Sequence, residues 1–225
     1  MAGRDPSKPV PATPDWSALD VLRHLTGVSV DITDLVFDGF ASAEWTERQV
    51  NDRSHLSMDE VIAQWEDIVG SAAVLLDTLD DLGLPDAIPS ALGMTSVAAI
   101  PAMAIGDILH HEFDLRNAFD DRDGRDLLDV HFSAAGHVKS LRGRFDAFDL
   151  PTIRVEATDS GMGWDVGYGD PVASLRATSF ELMRAIGGRR TRGEMAAMVW
   201  TEDPEPFLDH MVLPHLVVRE SSLRE

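Results

Sequence analysis

Four long stretches in which apolar residues recur every three to four positions fill the first two thirds of the chain, and they constrain its fold more than any other feature. They begin near Asp15, Ser57, Ser96 and Leu127, and the last one ends near Phe148. Recurrence at this period places apolar side chains along one face of a helix. Four main helices with short to medium connections predict a mainly α fold, arranged as a helical bundle.

Capping residues and polar segments indicate where these helices begin and where loops lie. Thr13 or Asp15 is expected to cap the first helix. The second helix fits a capping box, with Ser57 at the N-cap and Glu60 three residues later. The polar segment "ASAEWTERQVNDR", residues 41–53, is predicted to be a loop.

After Pro151 the helical period gives way to alternation, which is typical of strands. The segments "TIRVEAT" and "WDVGYG" flank the turn "DSGMG" and predict a β-hairpin, and a helix ending at Gly187 follows. We therefore expect three parts: a loose tail with four prolines over residues 1–14, a helical bundle over 15–150 and a small α+β domain over 151–225.

Composition narrows the classes of partner and of chemistry. The formal net charge is -20, with 39 acidic and 19 basic residues, which argues against binding to nucleic acid or to anionic membranes. The absence of cysteine excludes a disulfide scaffold and a metal site with thiolate ligands from the chain. The N-terminal residues lack the apolar run of a signal peptide, and no segment predicts a membrane span. We expect a cytoplasmic protein.

The segment "GDILHHEFDLR", residues 106–116, places acids and histidines together on a predicted helix. Asp107 and His111 are four residues apart, so both side chains can reach one point. His24, at the edge of the apolar face of the first helix, is the natural third ligand. Two imidazoles and one carboxylate with open positions suit Zn²⁺, with Ni, Fe or Mn as alternatives. The same residues are also compatible with a simple Asp–His pair and a hydrogen-bonded core histidine.

Three separated blocks of the sequence resemble the mycothiol-dependent maleylpyruvate isomerase family of the DinB-like superfamily. "PDWSALDVLRHLTGV" resembles its opening helix, and "DILHHEFDLR" resembles a second signature in which a Glu stands four residues before a His. "FELMRAIGGRRTR", together with "DPEPFLDH", resembles the C-terminal part. The matching residues of the first two blocks are Trp16, Asp20, Val21, His24 and Leu25, followed by His111, Asp114 and Leu115.

The resemblance implies a DinB-like four-helix bundle with a divalent metal held by His24, Asp107 and His111. Asp107 stands where the family usually has Glu and is one methylene shorter, which leaves open whether it is a direct ligand. The resemblance also implies mycothiol, the thiol of actinobacteria, as cosubstrate, and it places the catalytic arginine of the isomerases at Arg189. The bare pattern instead favours a surface charge for Arg189 at a helix C-terminus.

Other residues near these motifs receive more modest interpretations. His110 lies about 100° around the helix from His111, which favours a residue on the surface or next to the ligands rather than a ligand itself. Asp114, one turn beyond His111, is expected either to support that histidine or to cap a neighbouring element. Trp16 and Trp65 are interpreted as core residues rather than as a platform for substrate.

The function expected from these residues is thiol-dependent chemistry on an electrophilic small molecule. A metal stabilises a thiolate, which can add to a conjugated carbon. Release of the thiol after bond rotation gives an isomerase, and retention of the thioether gives an S-transferase. Two alternatives are a non-catalytic metal- or ligand-binding module and a thiol-independent metal hydrolase. The sequence leaves the substrate and native metal open, and the architecture is compatible with a homodimer.

Overall fold

The computed structural model describes residues 3–213 and 215–225 and divides into two compact units, Met1–Asp121 and Arg122–Glu225. The chain is rich in helix and carries a small sheet in its C-terminal part, which confirms the predicted predominance of helix. Within the described residues, no helix combines the length and the apolar composition that a membrane span requires.

The segment predicted to be a loose tail, residues 1–14, contains a short hairpin in the structure. Strand β1 (Pro9–Val10) pairs antiparallel with strand β2 (Thr13–Ser17). Residues 1 and 2 of the predicted tail lie outside the described part of the chain. Val10 is completely buried in an apolar cluster with side chains of the first helix. Burial of this one valine ties the segment down, which its proline-rich composition does not indicate.

Helix α1 (Ala18–Thr33) packs against three other helices of the first unit. The predicted caps Thr13 and Asp15 are wrong, because both residues lie in β2. Ser17 is the N-cap instead, and it forms a capping box with Asp20. The buried face of α1 carries apolar side chains and one histidine: Val21, His24, Leu25, Val28 and Ile32.

The capping box of α1 makes the stability of the first unit depend on pH. Burial alone would raise the pKa of Asp20, but hydrogen bonds from Ser17 and the charge of Arg23 outweigh it and lower the pKa. A carboxyl whose pKa is depressed by folding stabilises the fold above its ordinary pKa, and this contribution is lost as the pH falls through the folded-state value.

We expect Ser17→Ala to lower the free energy of unfolding by about 1 kcal/mol at neutral pH, since a helix cap is removed. The difference from wild type should shrink as the pH falls below the ordinary range of carboxyl groups, because Asp20 is then protonated in both proteins. Urea denaturation followed by circular dichroism at several pH values measures both effects. Ser71→Ala, an exposed serine inside a helix, is the control; an equal loss in both variants would contradict the capping role.

The predicted loop over residues 41–53 is wrong, because Ala43–Asp52 form helix α2. Ser42 caps this helix by accepting a hydrogen bond from the backbone N–H of Trp45 at 3.1 Å. Trp45 and Gln49 are its two buried residues. With so few buried positions in a polar segment, no apolar stripe is visible in the sequence.

Two longer helices and a hairpin complete the first unit. Their bounds are α3 (Met58–Asp77), β3 (Ala87–Ser90), β4 (Gly93–Ser96) and α4 (Ile100–Ala118). The capping box predicted for Ser57 and Glu60 at the start of α3 is confirmed. α3 ends at Asp77, and a short 3₁₀ turn, Leu79–Leu82, follows it.

The second unit combines three helices with a four-stranded sheet. Its elements are α5 (Leu128–Ala147), β5 (Ile153–Ala157), β6 (Gly163–Val166), β7 (Ala173–Ala177), α6 (Ser179–Ile186), α7 (Arg192–Ala196) and β8 (Val199–Trp200). The strand order is β6-β5-β7-β8, with β5 and β7 parallel and the outer pairs antiparallel. The pairing of β5 with β6 confirms the predicted hairpin.

Helix α5 groups with the second unit, whereas the sequence analysis places it in a bundle over residues 15–150. It packs on α6 and β6, which follow it in the chain. Its buried stripe consists of Val130, Ala134, Val138, Leu141 and Phe145. An apolar stripe predicts that a helix has a buried face, but it does not say which neighbour covers that face.

Candidate metal centre

The three predicted ligands come from the middle of α1 and from one face of α4. On α4, Ala104 belongs to one apolar cluster and Leu115 to another, and Asp107 and His111 lie between these two positions. On α1, His24 stands on the buried face among apolar residues of the same two clusters. The polar side chains therefore meet at a point with apolar packing on either side.

The structure brings His24, Asp107 and His111 together. One potential ligand atom from each residue lies within 4.8 Å of the other two. His24 Nε2 is 3.2 Å from one carboxylate oxygen of Asp107, and His111 Nε2 is 3.6 Å from the other. The two imidazole rings meet edge to face, with centroids 5.2 Å apart. The shorter side chain of Asp107 thus reaches the histidine of the facing helix.

The donor set and its burial fit a divalent metal ion. His24 and His111 are 4% and 7% exposed, whereas the Asp107 side chain is 38% exposed. Two imidazole nitrogens and a carboxylate oxygen are ligands of catalytic zinc, with further positions left for water or substrate. Because the carboxylate is the most accessible of the three, solvent and ligands reach the centre from its side.

Asp114 lies beside His111, as one of its two predicted roles requires. Its carboxylate is completely buried, and one of its oxygens lies 3.2 Å from His111 Nδ1. The contact is close without being a hydrogen bond. A negative group on the Nδ1 side favours a proton there and leaves Nε2 for a metal.

His110 differs in part from its prediction. It does not belong to the cluster, as its position on the helix indicates. It is only 6% exposed, however, so the interpretation as a surface residue is wrong. The helix is buried on more than one side, and the sequence gives little sign of this because polar residues occur all around it.

Two neighbours of the cluster are missed by the sequence analysis. Trp16 is half-buried, and its ring centroid lies 5.2 Å from that of His24 and 6.1 Å from that of His111. It is therefore a wall of the cluster rather than only a core residue. Gln49 contacts His24 from α2, the helix predicted to be a loop. The sequence signal for Trp16 was its place in the first family-like block.

Arg189, the predicted catalytic residue, belongs to the second unit. It is half-buried just after α6, and its Nη1 donates a hydrogen bond to the carbonyl of Gly187 at 2.8 Å. Burial lowers the pKa of His137, and the positive charges of Arg189 and His215 lower it further. Arg190 is different, because it is buried and ion-paired with Glu181 rather than a surface charge.

Fold and cluster together define a class: a helix-rich protein whose first unit brings two histidines and a carboxylate from two helices to one point, followed by a small α+β unit. Residues 1–116 match the family model described as the mycothiol maleylpyruvate isomerase N-terminal domain. This match covers more than half of the chain. The chain therefore belongs to the mycothiol-dependent maleylpyruvate isomerase family, which confirms the family predicted from its motifs.

Solved structures show the same fold. Two crystal structures of mycothiol-dependent maleylpyruvate isomerase, one of them a variant with a histidine replaced by alanine, match with a TM-score of 0.58. They are 12% and 11% identical to this chain, and the match covers 89% of this chain and 85% of theirs. No curated protein sequence gives a significant match.

Proposed function

We propose that this protein is a metal- and mycothiol-dependent isomerase or S-transferase that acts on an electrophilic small molecule. Its first unit is a DinB-like bundle in which His24, Asp107 and His111 hold the divalent metal, with zinc as the preferred ion. The observation that carries the proposal is the convergence of these three ligand atoms within 4.8 Å. Family membership supplies the thiol and the class of reaction.

Each residue of the centre has a defined part in this proposal. A divalent metal bound there would supply a positive charge that favours the ionised form of a thiol. His24 and His111 contribute neutral nitrogens, and Asp107 contributes one negative charge, so the centre keeps a net charge of about +1. The buried rings of the histidines and the adjacent Trp16 keep water away from one side of the metal centre. The thiol comes from outside, since the chain has no cysteine.

Arg189 is proposed to bind a carboxylate or similar anionic group of the substrate. A guanidinium is permanently charged and can donate two parallel hydrogen bonds to a carboxylate. Burial and the charge of Arg189 both lower the pKa of His137, so this charge acts on neighbouring groups. A positive charge attracts an anion, which supports a recognition role for Arg189.

We expect protein purified without chelator to contain about one divalent metal ion per chain and to convert maleylpyruvate only when mycothiol is present. Chelation should abolish the activity, and Zn²⁺ should restore it, because the thiol depends on the metal for ionisation. Metal content by mass spectrometry and conversion followed with and without mycothiol measure this. Mycothiol recovered unchanged indicates an isomerase, and mycothiol consumed as a thioether indicates an S-transferase.

The same measurements identify the alternative functions. Metal-dependent turnover that is unchanged without thiol would show a hydrolase. A protein that holds no stoichiometric metal and has no activity on electrophiles would be a non-catalytic binding module. Either result would overturn the proposed function.

A further inference from the structure

Two polar side chains, Gln49 and then Asp31, extend from His24 on the side opposite the cluster. His24 Nδ1 lies 2.8 Å from Gln49 Oε1, and Gln49 Nε2 donates to a carboxylate oxygen of Asp31 at 2.6 Å. Gln49 is completely buried, and Asp31 is 4% exposed. Both contacts are therefore shielded from competing water.

Asp31 determines which way the amide of Gln49 faces. The same oxygen of Asp31 also accepts a hydrogen bond from Arg48 at 2.8 Å, so it acts as an acceptor. Only the NH₂ group of Gln49 can donate to it, and the carbonyl oxygen must then point at His24. The orientation of the amide is thus fixed by its hydrogen-bond partners rather than by shape.

The tautomer of His24 follows from this orientation. A carbonyl oxygen only accepts hydrogen bonds, so the proton of the neutral imidazole stays on Nδ1. Nε2, which lies 3.2 Å from an oxygen of Asp107, is then the nitrogen that would give its lone pair to a metal bound with Asp107 and His111. Hydrogen-bond partners of this kind orient histidine ligands and raise their basicity.

Close packing of α1 and α2 holds Gln49 in place. A Cβ added to Gly27 would lie 2.4 Å from Gln49 Cβ, so the helices can approach this closely only with glycine there. Arg53, whose guanidinium also lies close to Gly27, donates to the backbone carbonyl of Gln49 at 2.9 Å and to Gln64 at 3.0 Å. The amide has little freedom to move away from His24.

We propose that Gln49 is a positioning residue of the metal centre: held by Asp31, it fixes His24 in the tautomer and orientation that present Nε2 to the metal. This inference rests on the proposed function, because it requires the cluster to bind a metal. It assigns a task to α2 that the three ligands alone do not reveal. It also gives the ion pair between buried Asp31 and exposed Arg48 a role in the centre.

Two substitutions test this role through the affinity for Zn²⁺. Gln49→Leu removes the acceptor at nearly constant size and should weaken Zn²⁺ binding by about 10- to 100-fold, as loss of such partners does at other sites. In an Arg48→Met background, Asp31→Asn should also weaken it, because an asparagine that no longer accepts from Arg48 can donate to Gln49 and lets the amide turn its NH₂ toward His24. A role limited to packing would be unaffected by this step, because the volume of residue 31 hardly changes.

Competition titration of the metal-free proteins with a zinc chelator gives the affinities, and circular dichroism checks folding. Asn51→Leu is the matched control, since Asn51 is an exposed amide on the same helix as Gln49, and its Zn²⁺ affinity should equal that of wild type. If wild type binds Zn²⁺ and the Arg48→Met protein binds it equally well with and without Asp31→Asn, the inference is overturned while the proposed function stands. If wild type itself does not bind Zn²⁺, the proposed function fails, and the inference fails with it.

Discussion

Replacing His24 with alanine is expected to remove stoichiometric Zn²⁺ from the protein and to abolish mycothiol-dependent turnover. The remaining pair, Asp107 and His111, comes from a single helix and offers two donors instead of three. The loss of affinity should exceed the roughly 10- to 100-fold effect of removing an outer partner, because a direct ligand is lost. Metal analysis and competition titration measure the change.

The matched control for this variant is His55→Ala, which removes an exposed histidine outside the cluster. It should retain wild-type metal content and activity. Circular dichroism of His24→Ala should show the helical content of wild type, since the deleted ring leaves α1 capped by Ser17. Wild-type Zn²⁺ affinity in a folded His24→Ala protein would rule out the proposed centre.

The sequence predicts part of this centre because helical spacing is a local property. Asp107 and His111, four residues apart, share a face whatever the rest of the chain does. The approach of His24 depends on how α1 and α4 pack, which spacing does not specify and which the family resemblance supplied. The proximity of Asp114 to His111 again follows from a spacing of three residues.

Gln49 was out of reach of the sequence analysis for a physical reason. Helix α2 buries Trp45 and Gln49, and most of its other residues are polar, so it lacks the apolar stripe on which helix prediction depends. The signals for this helix in the sequence were the cap at Ser42 and the four-residue spacing of Trp45 and Gln49. A buried glutamine is recognisable only once its partners are known.

The division of the chain into two units shows a second limit of prediction from sequence. The apolar stripe of α5 predicts the helix correctly, yet the stripe is covered by α6 and β6, which come later in the chain. Short connections suggested that consecutive helices pack together. The change to alternating residues after Pro151 marks a change in secondary structure, whereas the units divide earlier, after Asp121.

A buried ion-pair network in the second unit centres on Glu225. Its side chain is 2% exposed and accepts hydrogen bonds from Arg184 and from Arg190, the latter at 2.7 Å. Arg184 is completely buried, and Arg190 also pairs with Glu181 at 2.7 Å. Charges buried this deeply require their partners, because an unpaired one would have lost its hydration without compensation.

Glu225→Gln is therefore expected to lower the free energy of unfolding of the second unit by about 3 to 5 kcal/mol, because buried Arg184 and Arg190 would both lose the negative charge with which they pair. Urea denaturation measures the loss. Glu205→Gln, which removes an exposed partner of Arg192, should leave stability nearly unchanged, because solvent screens the pair. Two adjacent arginines are expected to behave differently. Arg190→Met should destabilise the second unit as Glu225→Gln does, because Arg190 is part of the network. The Arg189→Met protein should stay folded and lose turnover of an anionic electrophile. Equal stability of Glu225→Gln and wild type would contradict the network, and full activity of Arg189→Met would contradict its role in recognition.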